Sequence, residues 1–173
     1  GTARVWSADS GECTCVFKGI HGKVRSATFG PQGQAAVADG KHARLWSTQS
    51  GECTRTFEGH EGDVLWTSCS PDGGMVVTAA RDGSAKLWRV EDGECTRTLG
   101  GHTGRVLSAA FSPDGREVAT TTSSGLLRLW SVQSGEFLQT VTAHSEEVCH
   151  VAFGASADGG LLLATASGDR CAK

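Results

Sequence analysis

Three classes of residue in this chain could support chemistry: six histidines, seven cysteines, and hydroxyl and carboxylate groups scattered through Ser/Thr runs and Asp-Gly pairs. A histidine between a carboxylate and a hydroxyl could serve as a general base. His60, His102 and His144, however, recur at one spacing, each after Gly or Ala. Recurrence of that kind marks a module part rather than a single catalytic base. Thr120-Thr121-Thr122-Ser123-Ser124 offers hydroxyls with no Lys or His partner nearby in sequence, and a β-branched strand running into a turn accounts for it. Gly100-Gly101-His102-Thr103-Gly104 lacks both the Gly-Lys-Ser/Thr ending and the following helix of a phosphate-binding loop. The Asp-Gly pairs beginning at 39, 72, 82, 92, 114 and 158 fall at turns without calcium-loop ligand spacing. Cys13, Cys53 and Cys95 occupy one repeat position on successive units, so they cannot surround one ion. Cys15, Cys69, Cys149 and Cys171 complete no C-x-x-C pair. An odd count without framework spacing predicts free thiols in a reducing compartment. Neither a metal, nor a cofactor, nor an enzymatic activity is expected.

The elements that carry these residues are set by a repeat. Trp6, Trp46, Trp88 and Trp130 lie 40 to 42 residues apart, and three of them close the near-copies Arg44-Leu45-Trp46, Lys86-Leu87-Trp88 and Arg128-Leu129-Trp130. Aligning Gly59-His60, Gly101-His102 and Ala143-His144 also superposes Ser70-Pro71-Asp72-Gly73 on Ser112-Pro113-Asp114-Gly115, with Gly30-Pro31-Gln32-Gly33 as a weaker copy. A unit of about 40 residues cannot bury its apolar face alone, so a stack or ring of equivalent modules is required.

Within a unit, Val64 to Cys69 and Val106 to Phe111 read as a first strand ending at a Pro-Asp-Gly turn. Met75 to Ala79 and Glu117 to Thr121 read as a second, apolar and β-branched strand. Ala85 to Trp88 and Leu126 to Trp130 form the third, and Cys95 to Leu99 and Phe137 to Val141 the fourth. No apolar 3.6-residue period persists for three turns, so no helix is expected.

Charge is mixed throughout: sixteen basic against nineteen acidic residues give a formal net charge of -3, with no basic run. A surface that tracks phosphates needs clustered Lys and Arg, so nucleic acid is not an expected partner. Neither a membrane-length apolar stretch nor a signal-like leader is present, and no membrane association is expected.

These residues resemble the WD40 repeat family, whose unit carries a Gly-His near its start, an Asp-bearing turn and a closing Trp-Asp or related pair. The resemblance covers essentially the whole chain. It implies an all-β fold, a β-propeller of four-stranded antiparallel blades, with about four repeats in residues 1-173. Residues 1-18 supply the third and fourth strands of a split blade, 19-58, 59-100 and 101-142 are whole repeats, and 143-173 supply the first strands of the split blade. The resemblance also implies a hydrogen-bond network in each blade linking His, a second-strand hydroxyl, a turn Asp and the third-strand Trp. Carried over, His60, Asp82 and Trp88 match, with Ala80 where the hydroxyl belongs. His102, Thr122 and Trp130 match, with Ser124 in place of the Asp. In the first unit His21 and Trp46 match and Asp39 is displaced by shorter loops. In the last, His144, Ser167 and Asp169 match, and the Trp is expected from Trp6 at the other end of the chain. Gly1 to Arg4 and Arg170 to Lys173 align with the same four positions, Gly83 to Lys86, so either end could begin the shared third strand.

The family resemblance implies a noncatalytic scaffold that binds protein or peptide on the loop face of a propeller, in the cytoplasm. Lys23, Asp63, Arg105 and Glu147 precede the first strands, and Lys41 and Arg81 sit at the loops between second and third strands. Those six residues are expected contacts, as is Trp66, whose repeat counterparts are Ser26, Ser108 and His150. Two other readings stand beside this one. The chain could be the sensor region of a larger signalling protein or enzyme. It could instead be a self-assembling half-propeller, a homodimer completing an eight-bladed ring, or an engineered repeat fragment; a segment of a longer propeller and a closed four-blade monomer are the other architectures open to it.

Overall fold

In the computed structural model, which describes residues 1–173, the period-two patterns form strands throughout. The sixteen strands are β1 (Ala3–Trp6), β2 (Cys13–Phe17), β3 (Val24–Gly30), β4 (Gln34–Asp39), β5 (His42–Ser47), β6 (Cys53–Phe57), β7 (Val64–Cys69), β8 (Met75–Ala80), β9 (Ala85–Arg89), β10 (Cys95–Leu99), β11 (Val106–Phe111), β12 (Glu117–Thr122), β13 (Leu126–Ser131), β14 (Phe137–Thr142), β15 (Val148–Ala155) and β16 (Leu161–Ser167). They pair antiparallel as three four-stranded meanders, β3 to β6, β7 to β10 and β11 to β14, flanked by the two-stranded sheets β1–β2 and β15–β16. The two-stranded sheets are not joined to one another. β1–β2 packs on the β3 to β6 sheet and β15–β16 on the β11 to β14 sheet, so the two pieces of the expected split blade sit on different neighbours.

Turn chemistry fixes each hairpin. Ser70 and Ser112 cap their turns through Asp72 and Asp114, and Gly73 and Gly115 take the positive φ values of 75° and 72° that these turns need. The second strands β4, β8 and β12 are buried along almost their whole length, because each lies inside its own sheet and is covered on both faces by neighbouring sheets.

The hydrophobic core is divided between blades rather than held within them. One cluster joins Val77, Ala79, Leu87 and Leu99 of the β7 to β10 sheet to Val106, Val118 and Trp130 of the next. A second joins Ala36, Leu45 and Phe57 to Val64, Val76 and Trp88. A third joins Ala3 and Phe17 to Ala35, Val37 and Trp46. In each, the third-strand Trp of one sheet lies against the preceding sheet. Phe17 stacks on Trp46 at 5.2 Å, and Phe57 meets Trp88 at 5.8 Å.

A polar clamp not legible in the sequence runs along the outer strands. Arg55 donates from Nε to the Val90 carbonyl at 3.1 Å and from Nη2 to that of Glu91. Arg97 donates likewise to Ser134 at 3.1 Å and Gln133 at 3.0 Å. Each side chain lies over a glycine of the next blade's turn, Gly93 or Gly135, where a Cβ would strike the arginine stem. The glycines of Asp92-Gly93-Glu94 and Ser134-Gly135-Glu136 thus serve two needs, a left-handed turn and a close approach.

Replacing Arg97 with Ala is expected to lower stability by about 1 kcal/mol, since its two charge-assisted bonds to the next blade are lost while the freed carbonyls reach water. Urea unfolding measures this, and an unchanged midpoint would count against the clamp.

Candidate interaction face and the networks that hold it

The best-formed network lies in the β7 to β10 sheet. Trp88 Nε1 donates to Thr78 Oγ1 at 2.9 Å, Thr78 Oγ1 lies 2.6 Å from His60 Nε2, and His60 Nδ1 lies 2.8 Å from Asp82 Oδ2. An indole can only donate, so the Thr78 proton is free for His60 Nε2, and the imidazole proton must sit on Nδ1 facing Asp82. The chain of donors therefore has one direction, from Trp88 through Thr78 and His60 to Asp82. Asp82 also accepts from the backbone N–H of Glu61 at 3.0 Å and from Ser84 Oγ at 2.7 Å. Burial lowers the His60 pKa despite the Asp82 carboxylate. Burial pushes the Asp82 carboxyl up, but the Ser84 and His60 bonds outweigh it and hold the group at about 2. Both ring nitrogens of His60 are engaged in a buried network, which leaves neither for proton transfer with a substrate.

The hydroxyl position differs from the sequence expectation. It is Thr78, not position 80, in this sheet, and Thr120, not Thr122, in the next. Thr120 Oγ1 meets His102 Nε2 at 2.9 Å and accepts from Trp130 Nε1 at 2.9 Å. At the C-terminal end it is Thr165, 2.8 Å from His144 Nε2, while Asp169 lies 2.9 Å from Nδ1. Ser167 instead bonds the Glu147 carbonyl at 2.9 Å, and Thr122 bonds Ser124 at 2.9 Å. Register supplies the reason. Val76 pairs with Trp88 and Thr78 with Lys86, so Thr78 is the diagonal neighbour of the indole, whereas a residue two further along the same face is out of reach.

The other blades depart from the full set. Ser124, in the Asp position, bonds the Thr103 carbonyl at 2.7 Å and leaves the buried His102 Nδ1 without a partner. Burial, aided by the Arg128 charge, pushes the His102 pKa down to about 4. In the β3 to β6 sheet, Val37 takes the hydroxyl position and Trp46 Nε1 is buried with no acceptor. His21 is exposed and stands outside any such network, because the shortened loop brings its backbone, not its ring, to Asp39. Asp39 is buried, pairs with Arg44 at 3.1 Å and accepts from the Gly22 N–H. Trp6, expected in the last network, is 57% exposed.

These networks pin two sets of loops against each other on one face. Arg81 N donates to the Asp63 carbonyl at 2.9 Å, Ser123 N to that of Arg105 at 2.9 Å, and Gly168 N to that of Glu147 at 3.0 Å. On this face Asp63 lies between Arg25, at 3.9 Å, and Arg81, at 4.0 Å, while Arg105 pairs with Glu147 at 3.5 Å. Such exposed pairs contribute little to stability. Lys23 and Lys41 are exposed with no ion-pair partner, as are the carboxylates of Glu61 and Glu146 in the loops ahead of other first strands. Trp66 is half-buried among the first strands and packs at 4.8 Å against His150, two repeats away, while Ser108 Oγ between them lies 3.5 Å from His150 Nδ1. The sequence signal for Trp66 was its departure from the repeat. Its contact with His150 depends on the curvature that brings β7 and β15 together across β11.

Val37→Thr is expected to raise stability by about 1 kcal/mol by giving Trp46 an acceptor, and Thr78→Val to lower it by about 2 kcal/mol; urea midpoints test both. For pH, the depressed His102 pKa means that the unfolded chain takes up a proton near 6.5 while the folded chain resists until about 4. The stability from neutral His102 is thus complete above 6.5 and is lost as pH falls toward 4, by on the order of 3 kcal/mol. Asp82, depressed to about 2, adds a second loss as pH falls from about 4 through 2. Ser124→Asp supplies a carboxylate to His102 Nδ1 and is expected to shrink the first loss, measured as unfolding free energy at pH 7.5 against pH 5.

Comparison with known proteins agrees with this geometry. No curated protein matches the chain. Among solved structures 1472 chains match. One is the crystal structure of the computationally designed Ika8 protein, at TM-score 0.83 and 22% identity, over 100% of this chain and 52% of that one. This chain therefore spans about half the length of that relative, and the likeness is one of fold. The family model for the WD domain, G-beta repeat, matches residues 51–89, 93–131 and 135–173, which is most of the chain. With its Trp, Thr, His and Asp side chains joined inside repeated four-stranded sheets, this chain belongs to the WD40 repeat family, whose domains generally act as noncatalytic platforms for protein interaction.

Proposed function

We propose that this chain is a rigid platform for an acidic protein or peptide segment, bound on the loop face by Lys23, Lys41, Arg81 and Arg105. The observation that carries the reading is the two lysines of that face that no carboxylate holds. Asp63 and Glu147 are already shared with arginines, while Lys23 and Lys41 face solvent unpaired. A carboxylate-bearing segment would replace solvent around these cations without disturbing a fold held by buried networks below them. Trp66 on His150 provides an aromatic surface among the first strands for an apolar side chain of the same segment. The exposed thiols of Cys13, Cys53 and Cys95 suit a reducing, cytoplasmic setting.

A second reading is favoured by the two flanking half-blades. Two copies, each with three whole blades and two halves, would join end to end in an eight-bladed ring. The loop face would then be doubled around one channel.

Selection from a displayed random-peptide library tests the platform. Wild type is expected to enrich Asp- and Glu-rich peptides, and the Lys23→Glu, Lys41→Glu double variant to lose at least tenfold in affinity for them, with a fall in affinity as salt rises. Trp66→Ser should weaken the same peptides while the chain stays folded. Equal binding by the charge-reversed variant would overturn the acidic-partner reading, and an unfolded Trp66→Ser would remove Trp66 from it.

A further inference from the structure

Each loop ahead of a first strand carries a histidine, and in three of the four a carboxylate accepts from the donors that follow it. Asp82 accepts from His60 Nδ1 at 2.8 Å and from the Glu61 N–H at 3.0 Å, both through Oδ2. Asp169 accepts from His144 Nδ1 at 2.9 Å and from the Ser145 N–H at 3.4 Å. Asp39 accepts from the backbone of His21 and Gly22 and pairs with Arg44 at 3.1 Å. In the β11 to β14 sheet the position belongs to Ser124, whose hydroxyl is turned away to the Thr103 carbonyl at 2.7 Å.

The donors of that sheet are nevertheless in place. Thr120 Oγ1 accepts from Trp130 Nε1, so its own proton goes to His102 Nε2 and the imidazole proton sits on Nδ1. That Nδ1 is buried and has no partner. The Thr103 N–H stands at the Glu61 and Ser145 position and has no protein acceptor. Arg128 occupies the place that Arg44 holds in its own sheet but makes no ion pair: Nη1 donates to the Gly101 carbonyl at 2.7 Å, and the guanidinium lies over the Phe137 ring. Burial and, after it, the Arg128 charge oppose a second proton on His102, and no carboxylate acts on the ring. The Gly83 carbonyl of the preceding sheet faces the imidazole without completing a bond to Nδ1.

Directed N–H groups beside a fixed cation, with no protein carboxylate, are the donor set of an anion site. The corner lies at an interior junction, where His102 packs at 5.1 Å on Trp130 and Trp130 packs on the β7 to β10 sheet. It is open to solvent past Ser124 and Thr103, both exposed. We infer that this corner binds a small free carboxylate, formate being the smallest, in the role that Asp82 plays in the neighbouring sheet. One oxygen accepts from His102 Nδ1 and the Thr103 N–H, as Asp82 Oδ2 does from His60 and Glu61. The second is left for the hydroxyls of Ser124 and Thr103, which lie 3.1 Å apart. A serine side chain is one carbon and one oxygen shorter than an aspartate, which is the difference a one-carbon acid supplies. The site uses neither Lys23 nor Lys41, so its fate and that of the acidic-partner reading are separate.

The test is a titration of the whole 15N-labelled chain with sodium formate, at constant ionic strength and pH 7.5, followed by the Thr103 amide and the His102 ring resonances. Wild type is expected to show saturable shifts at both. Ser124→Asp fills the corner with its own carboxylate and should bind formate at least tenfold more weakly, and Arg128→Gln at least threefold more weakly. Circular dichroism verifies that each variant folds, and either variant alone decides the question if the other does not. Chloride, which lacks the second oxygen, should bind at least threefold more weakly than formate. Shifts in wild type that stay linear without saturation, or saturable shifts unchanged in the folded variants, would overturn the site. Chloride binding as tight as formate would overturn its assignment to a carboxylate.

Discussion

Everything in this fold depends on burying an indole between sheets. In each of the three four-stranded sheets, the Trp near the end of the third strand is buried against the sheet before it. A blade is therefore not an independent unit, and stability resides in nearest-neighbour interfaces. The indole brings a polar obligation with it. Its N–H, once removed from water, needs an acceptor, and Thr78 and Thr120 supply one that is itself oriented by histidine. From this follows the position of the imidazole, the placement of Asp82, and the fixing of the loop before the first strand.

The three sheets show how the interaction tolerates loss. The β7 to β10 sheet holds the complete set, the β11 to β14 sheet lacks the carboxylate, and the β3 to β6 sheet lacks the hydroxyl yet still buries Trp46 against Phe17. Apolar burial persists in all three while hydrogen bonding varies. Apolar burial of the indole, against Phe17, Phe57 or Leu99, is thus the invariant and the polar chain an addition to it. Arg55 and Arg97 work at the outer rim to the same end, tying one sheet to carbonyls of the next.

That rigidity stops at one face. Buried networks end at the loops ahead of the first strands and between the second and third, and the charges there are held by backbone bonds rather than by packing. Variation of Lys23, Asp63, Arg105 and Glu147 among equivalent positions costs the fold little, because their ion pairs are exposed.

The strands, their turns and the repeated unit were legible in the sequence because they obey local rules: period-two alternation, Pro-Asp-Gly turns and a Trp at fixed spacing. The pairing of His60 with Asp82 and of His144 with Asp169 was implied by the family resemblance, and both pairs lie within hydrogen-bond distance. The hydroxyl was misplaced by two residues, because alternation defines a strand's face but not which residue on that face stands diagonal to the indole. His21 was misassigned because a loop shortened in sequence redirects a backbone, and only coordinates show which atom then reaches Asp39. The Arg55 and Arg97 clamps, the ion pairs of Asp63 and the stacking of Trp66 on His150 carried no local signal. Apart from Asp63 with Arg81, they join residues of different sheets, and their formation depends on the angle between those sheets, which no single unit of the sequence encodes.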